Sequence, residues 1–107
     1  MIDWLAKAEA AMEQLIATDK QLAELRVKWE RDKRKAKRQY ESIFLRVTGN
    51  IPEREAQASN HAEYKLSEAA EMTSLLEYEK LKNERDTSHL IVEFWKSWQR
   101  AKREGQL

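Results

Sequence analysis

An apolar ladder with alternating steps of four and three residues runs along the first half of this chain, and little except a long helix with a partner satisfies it. Its rungs are Met1, Leu5, Ala8, Met12, Leu15, Asp19, Leu22, Arg26, Trp29, Lys33, Ala36, Tyr40, Ile43 and Val47, of which eleven of fourteen are apolar. The three exceptions, Asp19, Arg26 and Lys33, fall in consecutive repeats of one slot. Polar residues in such a slot set the register of paired helices at a cost in stability.

Two glycines, one proline and 36% charged residues suit long helices. The strong break is Thr48-Gly49-Asn50-Ile51-Pro52, where glycine suits a helix end and proline the first turn of the next helix. Asn50 with Glu53 has the spacing of a capping box, and Asn60 with Glu63 repeats it. The expected organisation is a single domain over residues 1–107. It has a helix at about 3–48, a turn at about 49–52 and a second helix at about 60–103. Residues 52–59 form either a short separate helix or the start of the second. The second helix is expected to face inward through Ala62, Leu66, Ala69, Thr73, Leu76, Lys80, Asn83, Thr87, Leu90, Phe94, Ser97 and Ala101.

Charge is segregated along the chain. Residues 1–25 carry −3, residues 26–48 carry +6, residues 49–86 carry −4 and residues 87–107 carry +2. Folding near residue 50 sets opposite signs against each other, so the expected fold is all-α: a long antiparallel, coiled-coil-like two-helix hairpin. In that register Asp19 meets Lys80. Two helices bury one narrow seam, and Ile16, Leu25, Phe44, Leu75, Tyr78, Ile91, Trp95 and Trp98 lie beside it. A homodimer, closing into a helical bundle, is the expected cover.

Several classes of function find no support in the residues. No apolar run approaches the ~20 residues that span a bilayer, and the N-terminus lacks a signal-peptide pattern. The absence of cysteine fits a cytoplasmic protein. Asp86, His89 and Glu93 share a helix face, but the segment opposite offers only Glu9 and Glu13, so no metal site is expected. No phosphate loop or catalytic triad is recognisable, and the expectation is a protein that is not an enzyme and takes no cofactor or small-molecule substrate.

Two segments are candidates for binding. Trp4, Trp95 and Trp98 gather at the open end of the expected hairpin beside Arg100 and Arg103, with Lys96 and Lys102 adding to a basic rim. Tryptophan and arginine anchor many protein interfaces, so this end is the candidate docking site for a protein partner. The second candidate is the basic stretch 26–38, in which Arg26, Arg31, Lys33, Arg34, Lys35, Lys37 and Arg38 offer contacts to nucleic-acid phosphates. Trp29 is then placed to stack on an unpaired base.

The order of certain segments also carries a resemblance. A basic first helix ends in Val47-Thr48-Gly49 and leads into Ile51-Pro52-Glu53-Arg54-Glu55-Ala56 and then Glu63-Tyr64. Glu77-Tyr78-Glu79-Lys80-Leu81-Lys82-Asn83-Glu84-Arg85-Asp86 and Ile91-Val92-Glu93-Phe94-Trp95-Lys96-Ser97-Trp98 follow. Across nearly its whole length the chain resembles small helical-hairpin proteins of phage and prophage early regions. That resemblance implies an accessory factor or inhibitor acting on recombination, replication or host-defence machinery in the host cytoplasm. It transfers no catalytic residue.

Overall fold

The computed structural model describes residues 2–105; the first rung of the ladder, Met1, lies outside them. The chain is all-α, with α1 at Trp4–Arg46, α2 at Ile51–Asn60 and α3 at Ala62–Arg103. No described helix is long and apolar enough to cross a membrane.

Each helix end has its own chemistry. Asp3 caps α1, its carboxylate accepting from the Ala6 amide at 3.0 Å. At the other end Gly49 takes φ +121°, a conformation that side chains with a Cβ rarely adopt. Asn50 then caps α2, accepting from the Glu53 amide at 2.9 Å, with Pro52 in the first turn. The Arg54 guanidinium donates twice to the Phe44 carbonyl, at 3.0 and 2.8 Å, and lies over the Phe44 ring. Gln57 donates to the Thr48 carbonyl at 2.9 Å, so α2 satisfies carbonyls that the end of α1 leaves open. His61 alone separates α2 from α3, and its Nδ1 accepts from the Glu63 amide at 3.1 Å. Ala58 is fully buried.

Contacts divide the chain into two units, one being Glu24–Tyr78 and the other the flanking residues up to Ala23 and from Glu79. In the flanking unit α1 and α3 run antiparallel: Trp4 meets Phe94, Gln14 meets Ser88, and Thr18 meets Arg85. The seam there takes Trp4, Ala8, Ala11, Leu15, Thr18 and Leu22 from α1, and Leu81, Arg85, Ser88, Val92, Trp95 and Gln99 from α3. In Glu24–Tyr78 the direction is again antiparallel, with Lys28 against Glu77, Asp32 against Ser74 and Tyr40 against Tyr64. Leu25, Trp29, Asp32, Ala36, Gln39 and Ile43 face Tyr64, Ser67, Glu71, Ser74 and Tyr78 in this unit.

These seams correct the expected faces. Ala8, Leu15, Leu22, Trp29, Ala36 and Ile43 do turn inward, but the other slot is displaced by one residue. Ala11, Thr18, Leu25 and Asp32 occupy it, and Met12, Asp19, Arg26 and Lys33 lie exposed on its flank. The displacement returns Asp19, Arg26 and Lys33 to water and brings Leu25 in, while the one acid it draws toward the seam, Asp32, is hydrogen-bonded by Ser74; this outweighs the exposure of Leu5 and Met12. On α3 the expected stripe is the outward face, with Leu66, Leu76, Leu90 and Phe94 all exposed. Tyr64, Tyr78, Val92 and Trp95 instead share the inward positions, where broad rings cover more surface than the leucines would. Asp19 meets Arg85 rather than Lys80, because residues 51–60 form a helix of their own and shift the register by five positions.

Candidate functional site

The docking candidate belongs to the unit that contains the first turns of α1 and the last turns of α3. The Asp3 cap starts α1 one residue before Trp4, whose ring packs on Phe94 with centroids 4.4 Å apart and planes tilted by 49°. Lys7 lies over the same Trp4 ring, 5.6 Å from its centroid. Trp98 carries Lys102 at 5.1 Å, a cation–π contact at the end of α3. Trp95 is half-buried, and its indole N–H is buried without an acceptor among the described residues. Three residues on a helix turn a side chain through about 300°, which leaves Trp95 and Trp98 about 60° apart on neighbouring parts of one face, both half-buried.

A groove of about 520 Å³ opens beside Trp95, lined by Leu5, Lys96, Gln99, Arg100 and Arg103. Its described lining holds three cations and no acid. Lys96 pairs with Glu93 at 3.4 Å on the surface, while Arg100 and Arg103 make no ion pair with another described residue. Of the expected docking residues, the structure therefore brings Trp95, Arg100 and Arg103 into one concavity. Trp4 and Trp98 are engaged beside it in the contacts with Phe94 and Lys102. Leu5 and Gln99 are the residues that sequence reading missed. Leu5 stood on the ladder as a core rung, and only the displacement of that slot, which leaves Leu5 exposed beside Met12, reveals that it lines the groove.

The basic stretch lies in Glu24–Tyr78 and is built differently. Trp29 stacks on Tyr78, with centroids 5.7 Å apart and planes within 13°, and Lys33 lies 5.4 Å over the same ring. Its indole N–H is buried without a partner among the described residues. This places Trp29 in the packing of the seam, not on offer to a base. Arg26 and Arg34 both lie against Glu30, at 3.7 and 3.8 Å. Arg31, Lys35, Lys37 and Arg38 are exposed. Across the seam Lys28 meets Glu77 at 3.3 Å, and Glu63 takes both Arg46 at 3.2 Å and Gln39 at 2.6 Å.

A second groove, of about 830 Å³, opens in this unit, with Ala36, Tyr40 and Tyr64 among its lining residues. Lys33, Arg34 and Lys37 on its walls are balanced by Glu30, Glu41 and Glu71. The Tyr64 hydroxyl is held above its usual pKa of 10.0, chiefly by its hydrogen bond to Glu68 and then by burial, with the charges of Glu68 and Glu71 acting in the same direction. Among the described residues no group of three or more His, Asp or Glu side chains is placed to hold a metal ion.

The two grooves differ in the property that matters for ligand choice: one is cationic with an apolar floor, the other is neutral in charge. An all-helical chain with a cationic, aromatic-lined groove is the class that the fold and the site define. Comparison with protein-family models, with curated proteins and with solved structures gave no match.

Proposed function

We propose that this chain is a non-enzymatic interaction protein that docks through Trp95, Arg100 and Arg103, with Trp4 and Trp98 supporting that end, on another protein. The observation that carries the reading is the groove beside Trp95, in which a half-buried aromatic meets Arg100 and Arg103, neither of which has an ion-pair partner among the described residues. The likeness to phage early-region proteins supports a partner from a recombination, replication or host-defence complex in the host cytoplasm, with this chain as accessory factor or inhibitor. Antiparallel pairing of α1 with α3 within each unit supports a hairpin. The exposed leucines of α3 support a homodimer that covers them.

The test is affinity capture from the native host with the wild-type chain and with Arg100→Glu/Arg103→Glu. A partner held by the wild type and lost by the variant supports the reading. A capture profile indifferent to the double substitution removes this end of the molecule as the docking site.

A second reading, direct DNA or RNA binding by residues 26–38, is favoured by one observation: Arg31, Lys35 and Arg38 are exposed and form no ion pair with another described residue. Retention on DNA that falls steeply with salt, and is abolished by Glu at Arg34, Lys35, Lys37 and Arg38, would establish it. Absence of retention at low salt would dismiss it.

A further inference from the structure

We infer that the groove beside Trp95 receives an acidic peptide segment that carries one bulky apolar side chain. The inference rests on the docking reading and names the chemistry of its partner. Three features converge on it. The rim supplies Lys96, Arg100 and Arg103 with no acid among the described lining residues. The pair between Lys96 and Glu93 is a surface contact of neighbouring turns, which water largely screens, so Lys96 remains available to a stronger anion. Arg100 and Arg103 have no acidic partner among the described residues, and each guanidinium can take a carboxylate through two parallel hydrogen bonds.

Cations in the last turn of a helix also offset the negative end of its dipole. That accounts for Arg100, Lys102 and Arg103, which occupy the last turn of α3. It does not account for Lys96, seven residues before the helix ends, nor for the floor. The floor is apolar: Leu5 is about half exposed and Trp95 half-buried. A side chain seated against them removes apolar surface from water on both partners.

A polynucleotide fits less well. Its charges are evenly spaced and call for cations that continue beyond the groove, whereas this unit interleaves Lys7 and Lys102 with Asp3 just ahead of α1, Glu9 and Glu13 on α1 and Glu93 on α3. Favourable potential is therefore confined to a short stretch, as a brief acidic segment requires.

The test is fluorescence anisotropy on the full chain at low salt. The probe is a fluorescein-labelled peptide of about ten residues in which aspartates flank one phenylalanine. Binding in roughly the micromolar range, weakened by added salt, is expected for a small charged interface. A matched probe with serine in place of phenylalanine should bind on the order of tenfold more weakly. Arg100→Glu/Arg103→Glu should cost on the order of tenfold or more. Both arginines are exposed, so circular dichroism of that variant should match the wild type. Trp95→Phe should weaken binding several-fold, and Lys35→Glu/Arg38→Glu, in the other unit, should not.

No binding at millimolar probe, or binding untouched by the double arginine substitution, would overturn the inference. So would a single-stranded oligonucleotide that displaces the peptide and binds more tightly, which would assign the groove to nucleic acid. If the probe fails while affinity capture still depends on Arg100 and Arg103, the docking reading stands and only the acidic-peptide chemistry falls. If both fail, the docking reading falls too.

Discussion

Replacing the buried Arg85 by methionine should change stability by no more than about 1 kcal/mol, although the side chain makes three polar contacts. Its guanidinium donates to the Leu15 carbonyl at 2.7 Å and to the Thr18 hydroxyl at 2.8 Å, and lies 3.4 Å from the Asp19 carboxylate. What decides the cost is what those acceptors lose. The Leu15 carbonyl keeps its place in the α1 hydrogen-bond ladder. The Thr18 hydroxyl still donates to the Gln14 carbonyl at 2.7 Å. The Asp19 side chain is 82% exposed and returns to water. No partner is left buried and unsatisfied.

The two short hydrogen bonds contribute roughly 1.5–3 kcal/mol each, as bonds to a charged donor do. Against them stands the several kcal/mol of keeping a guanidinium out of water. The contact to Asp19 adds little, because the carboxylate is solvated. These terms nearly cancel, and methionine fills most of the volume. Arg85→Ala removes the packed stem as well. At about 0.8 kcal/mol for each buried methylene, plus the cavity, it should cost about 2–4 kcal/mol.

The gap between the two variants, ~2–3 kcal/mol, corresponds to a Tm difference on the order of 10 °C or more in a chain of this size. Thermal and urea unfolding followed by circular dichroism reads it directly. A methionine variant that loses as much as the alanine variant would refute the reasoning and make the guanidinium network a requirement of the fold. By the same logic Asp19→Lys should cost less than about 1 kcal/mol, since that side chain is already in water.

Three further outcomes follow from single residues. Gly49→Ala should destabilise by about 1–3 kcal/mol in urea titration, because φ +121° is strained for alanine and its Cβ would stand 2.5 Å from the Glu53 carboxylate. An unchanged midpoint would show that the turn relaxes freely. Trp29→Phe keeps a ring against Tyr78 and deletes a buried N–H with no acceptor, so its loss should stay within about 1 kcal/mol. A loss comparable with that of a large core truncation would mean that the N–H is satisfied in solution. The pKa of Tyr64 is raised in the folded state, so its contribution is present below pH 10.0 and lost as pH rises through the folded value. Comparing wild type with Tyr64→Phe across that range should show a steeper fall for the wild type; parallel curves would dismiss the shift.

The helical class was legible because a chain with two glycines and one proline has few places to stop, and the apolar period left no room for strands. The turn chemistry was local and therefore readable: Asn50 and Glu53 stand at cap spacing, and the cap forms. Faces were harder. Met12 and Ala11 compete for one position, as do Arg26 and Leu25, and hydrophobicity at the first repeats favoured the wrong slot. The middle repeats held the correction, since Thr18 and Leu25 are cheaper to bury than Asp19 and Arg26. On α3 the leucines at 66, 76 and 90 drew the stripe to the outward face, whereas Tyr64, Tyr78 and Trp95 carry the seam. Arg85 was not legible at all, because nothing local distinguishes a buried arginine from an exposed one. The groove beside Trp95 was legible as a composition of tryptophan and arginine, but its wall at Leu5 comes from the other helix and follows only from the corrected register.

The misplaced leucines bear on assembly. Each seam is lined in good part by small side chains, Ala8, Ala11 and Ser88 in one unit and Ala36 and Ser74 in the other, which lets the helix backbones approach closely but buries little apolar area per turn. The larger apolar groups point away, with Leu90 71% exposed in one unit and Leu76 68% exposed in the other. If a second copy covers them, Leu76→Lys and Leu90→Lys should each lower the mass seen by light scattering toward the monomer and raise solubility. Neither should disturb its own unit's seam, because substitutions at well-exposed positions ordinarily change stability by less than about 0.5 kcal/mol. A dimer that survives both substitutions would show that its interface lies elsewhere. A wild-type monomer at high concentration would show that no second copy is needed, and the outward stripe of α3 would then be a surface for a different chain.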